Sequence, residues 1–112
     1  MSRMTPIREA SLKVAVTYYN IIFPKICDLK ANQIDVPDDL SKILDMCNAI
    51  MDANVEMYDD KVSRWLGFVQ GVMYSHGLLD INTERDRTRP LFHAAYKKMG
   101  LPIPASINIE EM

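Results

Sequence analysis

Apolar residues recur along most of this chain at intervals of three and four, the period of an α-helix. The pattern is densest between Lys61 and Leu79, where Val62, Trp65, Leu66, Val69, Val72 and Met73 fill one face. On the opposite face, at a strict spacing of four, stand Ser63, Gly67, Gly71 and Ser75. A glycine inside a helix costs about 1 kcal/mol relative to alanine, so two in register demand a physical cause. Close approach supplies one, because a stripe without side chains admits another backbone. The pattern therefore predicts a helix contacted on two sides. Three occupants fit the stripe: the first helix of the same chain crossing over it, a second protein or second copy, or a ligand held where backbone is bare.

The remaining periodicity predicts three more helices. Thr5-Pro6 has the chemistry of a cap followed by a first helical residue, and Leu12, Ala15, Val16, Tyr19, Ile22, Phe23 and Ile26 continue one face, with Val14, Tyr18 and Ile21 adding a second strip. Pro24 removes the bond to the Asn20 carbonyl, so a kink or break is expected near Phe23, and the apolar spacing resuming through Ile26 and Leu29 favours a kink followed by another turn or two. Asp38 and Asp39 suit the first turn of a second helix, whose inner face is Leu40, Ile43, Leu44, Cys47, Ile50 and Met51, with Asn54 as a stop. The third helix should end at Gly77. A fourth, capped by Asn82 or Thr83, should be split by Pro90 into a short turn and a helix closed by Gly100. The expectation is a single all-α domain over 1–112, a compact bundle with helices near 5–30, 37–54, 58–77 and 83–99. An extended tail, 100–112, follows, either packing Ile103 and Ile107 on the body or staying loose.

Composition narrows the class. A net charge of −2 lacks the basic footprint of a nucleic-acid module, and no apolar run approaches the ~20 residues of a membrane span. The polar N-terminal stretch lacks a secretory h-region. A cytoplasmic protein is the expectation. Cys27 and Cys47 have no CxxC spacing and read as two buried, reduced thiols, with a disulfide or a paired-cysteine metal site as the alternative. Charge is unevenly distributed: Asp35 to Asp60 carries eight acidic residues against one lysine, whereas Glu84 to Lys98 carries five basic against two acidic. The two segments could pair within the fold, pair across a dimer, or serve as separate docking patches.

Catalytic constellations are lacking. His76 and His93 are isolated, and no glycine-rich phosphate loop follows a strand. No cofactor motif is present. Glu56, Asp59 and Asp60 resemble the carboxylates that hold magnesium in all-α nucleotide pyrophosphatases, but the second acidic motif of such sites is missing. Asp38, Asp45 and Asp52 repeat every seven residues, as a solvated outer row does. Arg85, Arg87 and Arg89 alternate at two, which does not align on one helical face, while His93 and Lys97 do share one.

The stretch from Arg64 to Phe92, RWLGFVQGVMYSHGLLDINTERDRTRPLF, resembles small proteins encoded by tailed bacteriophages and prophages, with the pattern RWLGFxQGxL followed by a short acidic-basic helical turn. The resemblance implies an accessory protein in a bacterial cytoplasm, of a kind that often binds and redirects or inhibits a host component. No catalytic residue comes with it. Together, residues and resemblance lead to an expected protein-interaction module, acting on a host protein and forming a homodimer. Its contact surface would comprise Ser63, Arg64, Gly67, Gly71 and Ser75 with Arg85, Arg87, Arg89, His93 and Lys97. A nucleic-acid role for the basic segment, and magnesium-dependent nucleotide hydrolysis, are the alternatives.

Overall fold

A computed structural model describes residues 4–102; the tail positions Ile103 and Ile107 lie outside them. Four helices follow one another: α1 (Pro6–Ala31), α2 (Asp38–Met51), α3 (Asp59–Ser75) and α4 (Ile81–Lys98). The described residues contain no strand, and the all-α reading holds.

Each boundary has a local cause. Thr5 caps α1, its Oγ1 accepting from the Arg8 N–H at 3.0 Å, and Pro6 opens the helix. At the other end Gln33 takes a left-handed φ of 56°, and Ile34 N–H returns to the Leu29 carbonyl at 2.9 Å. That closure satisfies carbonyls the helix leaves orphaned. Gly77 at φ 70° performs the same closure for α3, with Leu78 N–H bonded to the Met73 carbonyl at 2.8 Å. Asp80 caps α4 by accepting from Thr83 N–H at 2.9 Å, in place of Asn82 or Thr83. Helix α2 stops at Met51, short of Asn54.

One of the two proline expectations is corrected. Helix α1 continues past Pro24 to Ala31, as the apolar spacing that resumes through Ile26 and Leu29 leads one to expect. Helix α4 is one continuous element across Pro90, not two pieces. In both cases the proline and the residue four before it, Asn20 and Asp86, are exposed. The carbonyl deprived of its N–H therefore faces water, which removes much of the penalty.

Helix α1 is the hub, packing against each of the other three, and α2 also packs on α3. The main core joins Val14, Tyr18 and Ile22 of α1, Leu40, Ile43, Cys47 and Ile50 of α2, and Val62, Leu66, Val69 and Met73 of α3. A smaller patch, Ile7 and Ala10 against Ala95, fastens α4 to the start of α1.

Candidate functional site

The stripe on α3 faces outward. Ser63, Gly67, Gly71 and Ser75 are exposed, and a methyl group added at either glycine would meet no atom within 4 Å. Helix α1 does not cross here. It packs on the inner face instead, where Val62, Leu66, Val69 and Met73 are buried. The expectation that α3 is contacted on both sides is therefore wrong for the single chain. Two large side chains border the bare stripe: Phe68, 46% exposed, and Tyr74, 58% exposed. The Lys42 ammonium of α2 sits 5.6 Å from the Phe68 ring centre. Arg64 is exposed and pairs loosely with Asp60 at 3.9 Å.

The basic segment is rearranged by the continuity of α4. Arg85, Arg89, His93 and Lys97 now stand at a uniform spacing of four, so they form one row rather than failing to align. Arg87 leaves that row. Its Nε and Nη2 both donate to the Glu84 carboxylate, which is buried. Arg89 pairs with Asp86 at 3.7 Å. Among the described residues, no ion pair joins Arg85 or Lys97 to a carboxylate, and none joins the acidic residues of α2 to α4. The acidic and basic segments do not neutralise each other within one chain.

Polar groups, some of them missed by sequence reasoning, tie the helices together. The phenol of Tyr18, wholly buried, accepts from Gln70 Nε2 at 2.7 Å, linking α1 to α3. Burial pushes its pKa upward, the Gln70 bond opposes this, and the nearby Glu84 carboxylate adds to the rise. At the C-terminal cap of α3, His76 Nε2 lies 3.0 Å from both Asp39 carboxylate oxygens, a half-buried histidine satisfied by its neighbour, as its place near the apolar face led one to expect. Only one of the two thiols is buried. Cys27 is exposed, and Cys47, pushed up to about 12 by burial, stays protonated and inert.

Arg8 makes the densest polar contact. It is 5% exposed, and its Nε and Nη2 donate to the Ile50 carbonyl at 3.2 and 3.1 Å. Nη2 also reaches the carbonyls of Ala49 (3.3 Å) and Asp52 (3.1 Å), and Nη1 that of Val55 (3.1 Å). The guanidinium thus closes the C-terminus of α2, where orphan carbonyls and the helix dipole favour a cation. Above it lies an open cavity of about 520 Å³ between Met4, Thr5 and the Ala53 to Asp59 connection. Glu56 and Asp59 line it, Asp59 accepting from Thr5 Oγ1 at 2.6 Å, while Asp60 turns to Arg64. Among the described residues no three metal-binding side chains converge. A signal for Arg8 existed in the pattern, since it stands four residues before Leu12 and seven before Ala15, on an apolar face.

Of the expected contact residues, then, Ser63, Arg64, Gly67, Gly71 and Ser75 share one open helix face, and Arg85, Arg89, His93 and Lys97 share another. Arg87 belongs to the interior network. No helix of the described residues is long and apolar enough to cross a membrane. Set against known protein families, curated proteins and solved structures, the chain has no match in any of the three.

Proposed function

We propose that this chain is a helical protein-interaction module that docks another helix on the outer face of α3, a second copy of itself in the first instance. The observation that carries this reading is the openness of Gly67 and Gly71. Two mid-helix glycines cost about 1 kcal/mol each, and nothing inside the chain uses the space they leave. Phe68 and Tyr74, both about half exposed, border that space and supply the apolar area a docking helix would cover. Under a twofold axis the same patch serves both partners, so a self-contact needs no second surface.

The resemblance of Arg64 to Phe92 to phage-encoded proteins supports a bacterial cytoplasmic setting, with a host protein as the target such a module redirects or inhibits. The reading as a nucleic-acid binder has weaker support, because Arg87 is spent on Glu84 and Arg89 is partly neutralised by Asp86.

Light scattering coupled to size exclusion tests the proposal on wild type and Gly71→Leu, with circular dichroism on both. The expected result is a wild-type dimer and a fully helical monomeric variant. A wild type that stays monomeric to high concentration, or a variant that dimerises as well as wild type, would reject it.

A further inference from the structure

Helices α1 and α4 run antiparallel, since Ala95 packs on Ile7 and Ala10 while Glu84 lies beside Tyr18. An open groove of about 180 Å³ separates them on one side. Its walls are largely apolar: Ala10 of α1, Leu91, Ala94 and Ala95 of α4, with Pro6 and Pro90 toward the two ends. Three charged residues share the lining, Glu9, Lys13 and Lys98, and all three are exposed. Neither lysine has a carboxylate within ion-pair distance among the described residues. The antiparallel course sets Lys98 at the Pro6 end and Lys13 at the Pro90 end. The groove between these ends is about 12 Å long, eight residues of α4.

The chain leaves α4 beside this groove. Gly100 turns it back at φ 68°, and the Leu101 N–H is bonded to the Tyr96 carbonyl at 3.0 Å. Residues 103–112, outside the described residues, have the sequence IPASINIEEM. Ile103, Ala105, Ile107 and Ile109 alternate with Pro104, Ser106 and Asn108, the period of two that belongs to an extended segment. Pro102 and Pro104 also bias Leu101 and Ile103 toward extended backbone. Glu110 and Glu111 follow, and the segment has no basic residue. The described residues contain no strand with which it could pair. Within the chain, its apolar face can be covered only by helices, and the α1–α4 groove begins at Lys98, next to where it emerges.

We infer that residues 103–112 dock in the α1–α4 groove of their own chain, running from its Lys98 end to its Lys13 end. Chain length fits this course. Pro102 to Ile107 spans up to about 16 Å in extended form, ample for the step from Leu101 to the Lys98 end. Ile107 and Ile109 then lie along Ala10, Leu91 and Ala95. Glu111 follows on the same side as both isoleucines, about 13 Å past Ile107, and meets Lys13. Charge agrees, because a segment with two acidic residues enters a lining of two lysines and one glutamate. Glu9 is the one like charge it passes. Nothing in this placement depends on the docking role of α3, whose outer face belongs to a different part of the surface.

Disulfide trapping tests the placement on the full chain. In a Cys27→Ser background, with Cys47 buried, Ala94→Cys is combined with Ile109→Cys and treated with oxidised glutathione. The expected product is an intramolecular disulfide. It should form at least tenfold faster than in a control that pairs Ile109→Cys with Asp45→Cys on α2, outside the groove. Equal rates in the two pairs would overturn the docking. So would a covalent dimer as the main product, which would send the segment to a second copy. Lys13→Glu should slow the closure severalfold at low salt, and Lys13→Glu/Glu111→Lys should restore it. A rate indifferent to both changes would refute the register. A second arm needs no engineered thiol. Ile107→Ser/Ile109→Ser should shift the amide NMR signals of Ala10, Leu91 and Ala95, and unchanged signals would reject the inference.

Discussion

The Arg8 corner and the outer face of α3 both break a rule of local sequence, and only one of them is compensated inside the molecule. At the corner a charged side chain is 5% exposed, yet it donates to four carbonyls at the end of α2. Burying that charge is costly on its own, and the surrounding acceptors offset the cost in full view. On α3 two glycines weaken a helix and touch nothing. A local penalty with its compensation nearby describes a structural device. A penalty with none nearby points to something outside the chain.

The sharpest way to break this contrast is at the corner. Arg8→Met keeps apolar length but leaves the Ala49, Ile50, Asp52 and Val55 carbonyls with fewer donors. A loss of about 3 kcal/mol is expected, since each buried acceptor left unsatisfied costs roughly 1–3 kcal/mol. Urea unfolding reads it, and a change below about 1 kcal/mol would mean that the corner is not compensated as described.

Alkaline unfolding tests the interior next. Cys47 and Tyr18 both have raised pKa values in the fold, so the unfolded chain loses these protons first. Stability is fully present below the unfolded values and falls as pH rises past them. Between about pH 9 and 12 each group that has begun to ionise in the unfolded chain removes about 1.4 kcal/mol per pH unit. Cys47 acts from about pH 9 and Tyr18 from about pH 10. Tyr18→Phe should cost about 1 kcal/mol at neutral pH, through the lost Gln70 bond, and make the decline above pH 10 shallower. An unchanged slope would place Tyr18 outside the linkage.

The smallest effect belongs to Gln33, held at φ 56° where glycine sits more easily. Gln33→Gly should stabilise by about 0.5–1 kcal/mol in thermal unfolding, because the left-handed conformation costs a side-chain-bearing residue roughly 1–2 kcal/mol and glycine recovers only part of that. This is a local strain relieved with no partner involved, and destabilisation would show that the Gln33 side chain contributes more than its backbone costs.

Periodicity made the four helices and most of the core legible, because Leu40, Ile43, Cys47, Ile50, Val62, Leu66, Val69 and Met73 all follow the helical repeat and all are buried. Pro90 misled, since a proline is disruptive only when the carbonyl it orphans is cut off from water, and exposure of Asp86 is a tertiary fact. Reading α4 as two pieces hid the Arg85, Arg89, His93, Lys97 row. Arg8 stands on an apolar face of α1, which marked it as a possible interior group, but its partners, the carbonyls of Ala49, Ile50, Asp52 and Val55, come together only on folding, as does the arrangement of Glu84 and Arg87 beside Tyr18. The glycine stripe was legible as a feature, but its direction was not, since the spacing of small residues does not say which element will cross them.

The most direct measurement is the unfolding free energy of Gly67→Ala/Gly71→Ala, taken dilute enough that the chain is monomeric. If the space beside these glycines serves nothing within the chain, alanine should relieve the helix penalty and raise stability by about 1–2 kcal/mol in total. A fall in stability would mean that the fold itself requires both glycines, and the case for an outside partner on α3 would be lost.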